Sequence, residues 1–318
     1  LTHGGYIKRM PVSEYRAQGR GGRGIRAMAT KDEDFVETVF TASTHDNILF
    51  FTKAGRVYIK KGYNIPEAGR AARGTNLVNI IQMDNSAENQ EKIAAMIGGR
   101  GLDEDSYLVF VTRNGTVKRM SQAALKNIRA NGIRALNLDE GDELISVIQT
   151  SGDENILIAT HDGMSVCFNE QEARPMGRTA VGVRGIKLRG DDYVIGAGST
   201  SAGSALLTIT EKGYGKRTPV EEYSVHGRGG LGIKNYNVTD KTGKIADVLV
   251  VNDEDDILVI TDDGTIIRMS AANISLLSRA TQGVRIMRIM EGSRVICIEK
   301  TDKEDEAEED KSEDAPEN

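Results

Sequence analysis

The sequence is poor in the residues that build metal centres, redox sites and membrane spans. Among its 318 residues it has no tryptophan, two cysteines, four histidines and 5% aromatic residues. The histidines lack metal-ligand spacing, and no nucleophile stands in a recognisable arrangement with a base. No apolar run approaches the roughly 18 residues of a membrane span. We therefore expect no catalytic residue, no metal site, no cofactor and no membrane contact in this chain.

The two cysteines and the start of the chain bear on its origin. Cys167 and Cys297 lie far apart among apolar neighbours, which indicates buried free thiols in a reducing cytoplasm. There is neither a signal segment nor an initial methionine. We expect an excerpt from a longer, cytoplasmic protein.

Two glycine-rich segments resemble a nucleotide-binding motif. Residues 19–24 and 227–232 both fit G-x-G-x-x-G. Both lie among short β-rich runs, without the strand and helix that a dinucleotide site needs on either side of the glycines. The motif therefore does not predict a dinucleotide site here.

The net charge of −6 conceals a separation of charge along the chain. Residues 301–318 hold ten acidic residues and two lysines and so carry −8, which leaves +2 for residues 1–300. Because this tail has many like charges and almost nothing to bury, we expect 302–318 to be disordered. Two roles stay open for it: competition with a polyanion for a basic surface, or solubility alone.

Turns that end in glycine recur at intervals of about fifty residues. Each has the pattern Thr-x-x-Gly, and each except the first follows a short β-rich run such as 107–111. Two strands joined by such a turn form a β-hairpin with glycine in the left-handed conformation. The turns, which number repeats 1 to 6, are Thr2–Gly5, Thr52–Gly55, Thr112–Gly115, Thr160–Gly163, Thr210–Gly213 and Thr261–Gly264.

A second glycine follows each turn at a nearly constant distance. The distance is 19 residues in five of the six repeats, as from Gly264 to Gly283, and 17 residues in the repeat of Gly115. In five repeats the glycine is followed by Ile or Val and then by Arg or Lys, and repeat 2 diverges with Thr75 and Asn76. We call these the slot glycines: Gly24, Gly74, Gly132, Gly182, Gly232 and Gly283.

The repeats predict an all-β fold. Each repeat closes with another apolar β-rich run, such as 144–148, and none has a long amphipathic helical pattern. A repeat of about fifty residues with about four strands is typical of a propeller blade. We predict six four-stranded blades in 1–301, with Leu1 as the remnant of the first opening strand. The approximate blades are 1–44, 45–101, 102–152, 153–203, 204–253 and 254–301, with an insertion in 75–114.

The most distinctive stretch is the glycine-rich segment 18–24, which we call the box. Glycines let the backbone approach a partner closely, and arginines offer forked donors that suit phosphate. Arg16 and Arg26 flank the segment. The box is therefore predicted to be a flexible cationic loop that binds an anion. Its residues are Gln18, Gly19, Arg20, Gly21, Gly22, Arg23 and Gly24.

Basic residues recur at fixed positions around the turn and slot glycines. A base kept at equivalent positions of a radial repeat falls on one rim of the disc. A solvated surface explains any single arginine, but these positions hold almost no acids, which favours an anion-binding rim. The predicted rim residues are Lys8, Arg9, Arg16, Arg26, Arg70, Arg73, Lys118, Arg119, Arg129, Arg134, Arg178, Arg184, Lys216, Arg217, Arg228, Lys234, Arg268, Arg279 and Arg285.

A basic rim suits a polyanion that bends around the outside of the disc. Duplex DNA carries about one charge per 1.7 Å of axis, and contacts to its phosphates are largely blind to sequence. The repeats lack the exposed aromatic residues that stack single-stranded bases, so duplex is favoured. The alternative from another class is a propeller that serves as a protein-interaction scaffold.

The segment Pro11–Gly24 makes the family resemblance specific. With its box it resembles the C-terminal domain of bacterial DNA gyrase A, whose family pattern is Q-R-R-G-G-[KR]-G. Similarity covers essentially all of 1–300, including 5–9, 34–37 and 65–70. Gly19 departs from the pattern, because the family usually has arginine there. The equivalent domain of topoisomerase IV is the alternative within the class, and its usually degraded box argues against it.

The resemblance implies a fold and a role. It implies a six-bladed β-pinwheel whose blades exchange strands and that wraps double-stranded DNA in a right-handed sense around its rim, which lets strand passage introduce negative supercoils. The catalytic tyrosine, the ATPase and their Mg²⁺ lie elsewhere in the enzyme, so this domain is expected to cut nothing. The implied partners are DNA, the rest of gyrase A, and gyrase B in an A2B2 holoenzyme, with the isolated domain monomeric.

Overall fold

Each repeat is built on a hairpin whose turn is the Thr-x-x-Gly segment. The computed structural model describes residues 1–14, 25–26, 34–83, 91–99 and 105–301, and of 25–26 the backbone only. In repeat 3 the Thr116 amide donates to Thr112 Oγ1 at 3.1 Å, and the Gly115 amide donates to Thr112 O at 3.0 Å. Gly115 has a φ of 85°, which favours glycine. The threonine of the pattern therefore fixes the turn through its hydrogen bonds, and the glycine fixes it through its positive φ.

Four classes of strand recur from repeat to repeat. The first hairpin strands are β3 (Asn47–Thr52), β7 (Tyr107–Thr112), β11 (Asn155–Thr160), β15 (Ala205–Thr210) and β19 (Asp256–Thr261). The second hairpin strands are β1 (Tyr6–Ile7), β4 (Arg56–Lys61), β8 (Thr116–Ser121), β12 (Met164–Asn169), β16 (Tyr214–Pro219) and β20 (Thr265–Ser270). The strands after the slot glycines are β2 (Ile25–Arg26), β5 (Thr75–Asn76), β9 (Ile133–Arg134), β13 (Val183–Arg184), β17 (Ile233–Lys234) and β21 (Val284–Arg285). The closing strands are β6 (Ile93–Gly99), β10 (Leu144–Thr150), β14 (Val194–Ser199), β18 (Ile245–Val251) and β22 (Val295–Thr301).

The helices of the described residues are short 3-10 turns. Most of them follow a second hairpin strand and lead into the loop before the slot glycine. They are Val12–Glu14, Gly62–Asn64, Leu77–Asn79, Gln122–Leu125, Glu170–Glu172, Thr200–Ala202, Val220–Glu222 and Ala271–Asn273. No helix in these ranges is long and apolar enough to cross a membrane.

Each four-stranded sheet borrows its outermost strand from another repeat. The sheet of repeat 3 has the order β10-β7-β8-β13, and β13 belongs to repeat 4. Val183 pairs with Val117, and Arg184 pairs with Thr116, both antiparallel. The same exchange places β9, β17 and β21 in the sheets of repeats 2, 4 and 5. We call these outermost strands the exchanged strands.

Glycine is required where the exchanged strand begins. Gly182 has a φ of 118°, and a Cβ on it would lie 2.3 Å from Val117 O of the receiving strand. At Gly232 the φ is 74°, and the corresponding distance to Ser165 O is 2.2 Å. Real Cβ atoms do not approach backbone oxygens so closely, so the slot glycines let the loop turn tightly against the neighbouring sheet. This contact explains the constant spacing of the two glycines.

The strand exchange closes the ring. The exchanged strand β2 of repeat 1 pairs with β20 of repeat 6, Ile25 with Ile266 and Arg26 with Thr265. Thr41 Oγ1 also donates to Lys300 O of β22 at 2.8 Å. Successive closing strands also lie against one another, from β6 through β10, β14 and β18 to β22.

The hydrophobic core is distributed among the junctions between repeats. Six clusters of buried side chains are present in the described residues, one for each pair of successive repeats. The cluster between repeats 2 and 3 packs the Phe51 and Phe110 rings edge to face, 5.6 Å apart. Val36, Leu258 and Ile266 form the cluster that joins repeat 1 to repeat 6. Burial of each such side chain contributes about 1.5–3 kcal/mol, so every repeat depends on both of its neighbours.

The propeller-like class is confirmed, but six four-stranded blades are not found. The described residues form five four-stranded sheets and one two-stranded sheet, β1-β5. In this sequence only Leu1 precedes the turn of repeat 1, so the repeat has no first hairpin strand here. Val36 forms a single bridge to Thr2, and a cleft of about 430 Å³ lies between 36–44 and the segment of β1.

The cysteines are free thiols, as predicted. Cys167 is buried and Cys297 is partly exposed. Burial raises the pKa of the Cys167 thiol to about 11. Neither cysteine forms a disulfide in the structure.

A buried ion pair joins the second hairpin strand of repeat 3 to the 3-10 turn that follows the hairpin of repeat 4. Glu170, whose side chain is fully buried, pairs with Arg119 Nε at 3.0 Å. It also accepts hydrogen bonds from Thr150 Oγ1 at 2.7 Å and from the Gly152 and Glu154 amides at 3.0 and 2.9 Å. This carboxylate therefore satisfies a buried guanidinium, a hydroxyl and two backbone groups together.

Replacing Gly182 with alanine should loosen the exchanged strand. Gly182→Ala combines a positive φ with a Cβ directed at Val117 O. It should lower the free energy of unfolding by about 2 kcal/mol or more, measured by urea denaturation. Gly177→Ala in the same loop is the control, because no atom lies within 4 Å of its added Cβ. Equal stability of the two variants would contradict the required glycine.

Removing the Glu170 carboxylate should strongly destabilise the fold. Glu170→Ala leaves the Arg119 guanidinium buried without a counter-charge and two amides without an acceptor. The expected loss is about 3–5 kcal/mol, measured by thermal and urea unfolding. Glu140→Ala, at an exposed acid, should change stability by less than about 0.5 kcal/mol. A similarly small effect at Glu170 would show that the buried pair is not a structural requirement.

Candidate nucleic-acid interface

The exchanged strands present a row of cations on the outside of the disc. Their second residues in repeats 3 to 6 are Arg134, Arg184, Lys234 and Arg285, and all four are exposed. The first residue of each strand is apolar and half-buried, since successive side chains of a strand point to opposite faces. Arg26 holds the same position in β2, and its side chain lies outside the described residues. In each Ile/Val-Arg/Lys dipeptide, the apolar residue thus packs against the protein and the basic residue is exposed to solvent.

The loops before the slot glycines add a second row. Arg70, Arg129 and Arg178 are exposed. Arg228 and Arg279 are half-buried and reach the previous exchanged strand: Arg228 Nη1 donates to Arg184 O at 3.0 Å, and Arg279 Nη1 donates to Lys234 O at 2.7 Å. These two arginines therefore tie the rows of cations together.

A cleft between repeats 3 and 4 brings both rows together. Its volume is about 460 Å³, and four cations line it: Lys126, Arg129, Arg134 and Arg178. The other described lining residues are Ala123, Ala124, Asn127, Asn131, Gly132 and Ile133, none of which is acidic. Clustered cations in a cleft without a described acid in its lining give a positive potential that favours anions.

Most of the exposed rim cations have no acidic partner in the part of the chain that the structure describes. This holds for Arg129, Arg134, Arg178, Arg184, Lys234 and Arg285. Arg70 is an exception, because its Nε lies 3.8 Å from Glu14 Oε2. The charge of this row is therefore largely available to an external anion.

The edge of the disc that carries the hairpin turns has the opposite character. Cations on this edge pair with acids of the same or the preceding repeat: Lys53 with Glu37, Arg113 with Glu143, Lys244 with Asp162, and Arg294 with Glu211 and Asp262. These charges neutralise one another. The two edges therefore differ in charge balance, although both are rich in cations.

Five predicted rim residues are not on the rim. Lys118 and Lys216 are fully buried, and Arg119, Arg217 and Arg268 are 6%, 6% and 3% exposed. These positions lie on the second hairpin strands, whose sides are covered by the adjacent sheets and loops. Arg119 pairs with Glu170, Arg217 with Asp253 and Arg268 with Asp256. The prediction that they contact an external partner is therefore wrong.

Three more predicted residues are partly buried. Lys8 Nζ donates to the carbonyls of Gly69, Arg70 and Ala72 at 2.8–3.0 Å. Arg9 Nη1 pairs with Glu67 at 2.7 Å, and its Nε donates to Ile65 O at 2.8 Å. Arg73 stacks on the Tyr6 ring with its guanidinium carbon 3.9 Å from the ring centroid. In repeat 1, therefore, the first two cations bind the protein itself.

The box lies outside the described residues. Gln18, Gly19, Arg20, Gly21, Gly22, Arg23, Gly24 and Arg16 all belong to the segment 15–24. Their predicted role in anion binding stays a prediction. Within the described ranges, no group of three or more His, Cys, Asp or Glu side chains could hold a metal ion.

Sequence reasoning missed two kinds of residue in the interface. Lys126 lines the cleft eleven residues after its turn glycine, and Arg16 and Arg174 stand at the same position in repeats 1 and 4. Glu172 and Glu222 accept the amides of Arg228 and Arg279 in the next repeat, both at 3.0 Å. These two acids could have been found from the sequence, because each stands ten residues before a slot glycine, as Glu14 does.

Comparison with known proteins places the chain in a family. The model of the DNA gyrase C-terminal domain, beta-propeller, matches six segments: 1–43, 46–97, 106–151, 154–201, 204–252 and 255–302. The gyrase A protein of Staphylococcus epidermidis is 47% identical over 309 residues, which cover 96% of this chain and 34% of the relative. The gyrase A protein of Staphylococcus aureus is 47% identical over 315 residues, 98% of this chain and 35% of the relative. The chain thus spans about a third of the length of these relatives.

Solved structures agree with the family match. A DNA gyrase A C-terminal domain superposes with a TM-score of 0.85 at 26% identity, covering 94% of this chain and 97% of that one. The C-terminal domain of DNA topoisomerase IV gives 0.73 at 26% identity, covering 96% and 93%. The resemblance stated from the sequence is confirmed, and this chain belongs to the family of DNA gyrase C-terminal β-propeller domains.

Proposed function

We propose that this chain binds duplex DNA along its outer rim and wraps it, as a non-catalytic domain of a DNA gyrase that introduces negative supercoils. The observation that carries the proposal is the cleft of Lys126, Arg129, Arg134 and Arg178, among whose described lining residues there is no acid. It continues into exposed cations at the same position of three further repeats: Arg184, Lys234 and Arg285. A radial row of this kind follows the path of a bent duplex.

The energetics favour many weak contacts over a few strong ones. Bending 20–30 base pairs by 40–90° costs about 1–6 kcal/mol, and phosphate contacts contribute without reading sequence. The displayed arginines are forked donors that match phosphate. Several repeats that each contribute one or two contacts therefore offset the bending free energy, and the wrapped length depends on how many repeats take part.

The neutralised hairpin-turn edge supports the choice of the outer rim. A duplex laid there would have to displace carboxylates such as Glu143 and Glu211 from their cations. On the outer rim, the described cations are mostly free of acids. We therefore assign the DNA path to the exchanged strands. The remainder of gyrase A, together with gyrase B, is the expected partner in the whole enzyme.

Within the class, the gyrase assignment is favoured over topoisomerase IV. The gyrase C-terminal domain superposes better, with a TM-score of 0.85 against 0.73. The box of the sequence, which departs from the family pattern only at Gly19, points the same way. No described cluster has the geometry of a nucleophile with its base, so the domain is proposed to bind and bend DNA but not to cut it.

Removing the four displayed cations should weaken DNA binding and wrapping together. The variant is Arg134→Ala/Arg184→Ala/Lys234→Ala/Arg285→Ala. Each lost phosphate contact lowers the slope of log K against log salt by about 0.9, so the slope should fall by about 3 to 4. Fluorescence anisotropy with a duplex of arbitrary sequence measures this slope. Ligation of nicked plasmid in the presence of the protein measures the positive linking difference, which should largely disappear.

The matched control removes four cations from the hairpin-turn edge: Lys53→Ala/Arg113→Ala/Lys244→Ala/Arg294→Ala. It changes the net charge equally, and loss of surface ion pairs costs little stability. Slope and linking difference should stay near those of the unaltered chain. Equal losses in both variants would show that only net charge matters and would contradict the assigned path. Absence of salt-dependent binding by the unaltered chain would favour the scaffold alternative.

A further inference from the structure

The position three residues after each turn glycine alternates in chemistry around the ring. Repeats 1, 3 and 5 have lysine there: Lys8, Lys118 and Lys216. Repeats 2, 4 and 6 have Tyr58, Val166 and Ile267, all buried. An apolar side chain is therefore compatible with this place in the sheet. Packing alone therefore does not explain the lysines, and their ammonium groups must have another role.

All three lysines make the same contact with the following repeat. Lys8 Nζ donates to Arg70 O at 3.0 Å, Lys118 Nζ donates to Arg178 O at 2.9 Å, and Lys216 Nζ donates to Arg279 O. Each acceptor is the carbonyl of the arginine four residues before the slot glycine, in repeat 2, 4 or 6. In each even-numbered repeat, the carbonyl of the arginine four residues before the slot glycine thus accepts a hydrogen bond from an ammonium group of the preceding repeat.

Each ammonium group also binds further carbonyls, which makes the contact rigid. Lys118 Nζ donates to Ala135 O at 2.6 Å, directly after Arg134. It therefore joins the two walls of the cationic cleft, Arg134 on one side and Arg178 on the other. Lys216 Nζ donates to Ser278 O at 2.7 Å.

Backbone pairing reinforces the same junctions. Parallel bridges join Arg9 to Glu67, Arg119 to Pro175 and Arg217 to Leu276, each between an odd-numbered repeat and the loop of the next. Arg217 Nε also donates to Ile274 O at 2.8 Å. At the junction from repeat 4 to repeat 5, which has no such lysine, the His226 amide donates to Cys167 O at 2.9 Å. In the three odd-numbered repeats, the residue after the lysine therefore adds a second attachment to the same loop.

Burying these ammonium groups has a cost. Desolvation is the main cause that lowers the pKa of Lys118 and of Lys216 to about 8. The charge of Arg178 contributes to the lowered pKa of Lys118, and around Lys216 the charge of Glu222 opposes that of Arg279. Repeats 4 and 6 avoid this cost with Val166 and Ile267. The ammonium group is nevertheless present at three equivalent places, where it binds three equivalent carbonyls. This indicates a role in positioning the loop.

We propose that Lys8, Lys118 and Lys216 are positioning residues that fix the phosphate-binding loops of repeats 2, 4 and 6 in the orientation that DNA wrapping requires. The inference rests on the proposed function and extends it to residues that do not touch DNA. The disc then consists of three pairs of repeats. Within each pair the loop is locked to the preceding hairpin. At the two junctions between pairs that the structure describes, Tyr58 and Val166 occupy the lysine's strand position and bring no ammonium group.

The test removes the two fully buried ammonium groups and compares the result with a matched change. The variant is Lys118→Met/Lys216→Met, and the control is Val166→Met/Ile267→Met, at the same strand position in the other repeats. Both carry methionine where the chain itself accepts an apolar residue. The full 318-residue chain is used, and its thermal unfolding is recorded first. Both variants should stay folded.

Hydrogen exchange tests the positioning without DNA. Amides of 178–181 and 278–281 should exchange at least several-fold faster in Lys118→Met/Lys216→Met, and those of 228–231 should not change. Unchanged exchange at 178–181 and 278–281 would overturn the inference, whatever the DNA experiments give. Loss of the folded state would also overturn it, because the lysines would then support the fold as a whole.

DNA readouts test the consequence. Loss of two ordered loops should lower the salt slope by about 2 and reduce the linking difference by at least half, while the control keeps both. Faster loop exchange with an unchanged slope and linking difference would overturn the inference and leave the proposed function intact. Failure of the unaltered chain to bind DNA would instead refute the proposed function, and hydrogen exchange would then decide on the loop contact alone.

Discussion

The contact between a slot glycine and the strand of the neighbouring sheet is the constraint on which the structure depends. At Gly182 and Gly232 the backbone passes so close to Val117 and Ser165 that no side chain fits. This passage lets two residues leave their own repeat and become the outermost strand of another. The ring closure through β2 and β20 uses the same exchange. The exposed position of Arg184 and its equivalents follows from it, because the outermost strand of each sheet has one free side.

The same residue types serve three purposes in this fold, and their surroundings decide which. Cations on exchanged strands point to solvent and have mostly no described acid beside them. Cations at the hairpin turns pair with acids and neutralise that edge, as Arg113 does with Glu143. Cations on the second hairpin strands are buried and hold loops or carboxylates in place, as Lys118 and Arg119 do. The net charge of the chain therefore gives little information about function, whereas the distribution of cations without a described acidic partner is informative.

The repeat, the all-β class and the outward cations after the slot glycines could be predicted from the sequence, because glycine spacing and strand patterns are local features. Residue patterns alone did not predict the strand exchange, since a strand as short as Val183–Arg184 has no alternation to recognise, and only the family resemblance implied it. Lys118 and Lys216 were misplaced because residue type and period do not reveal which face of a strand is covered. The clue was that Val166 and Ile267 stand at the same position in repeats 4 and 6, since such apolar residues are most often buried. The four-stranded first blade was wrong because no strand precedes Thr2 in this sequence.

The central claim is that duplex DNA follows the exchanged strands around the outer rim. The most direct measurement is a cryo-EM reconstruction of the chain bound to a duplex long enough to pass several repeats. The account predicts phosphates beside Arg134, Arg184, Lys234 and Arg285, with the helix axis bent around the disc and Lys118 still beneath the cleft. DNA lying across the hairpin-turn edge, against Arg113 and Lys244, or leaving the disc straight after one repeat, would contradict it.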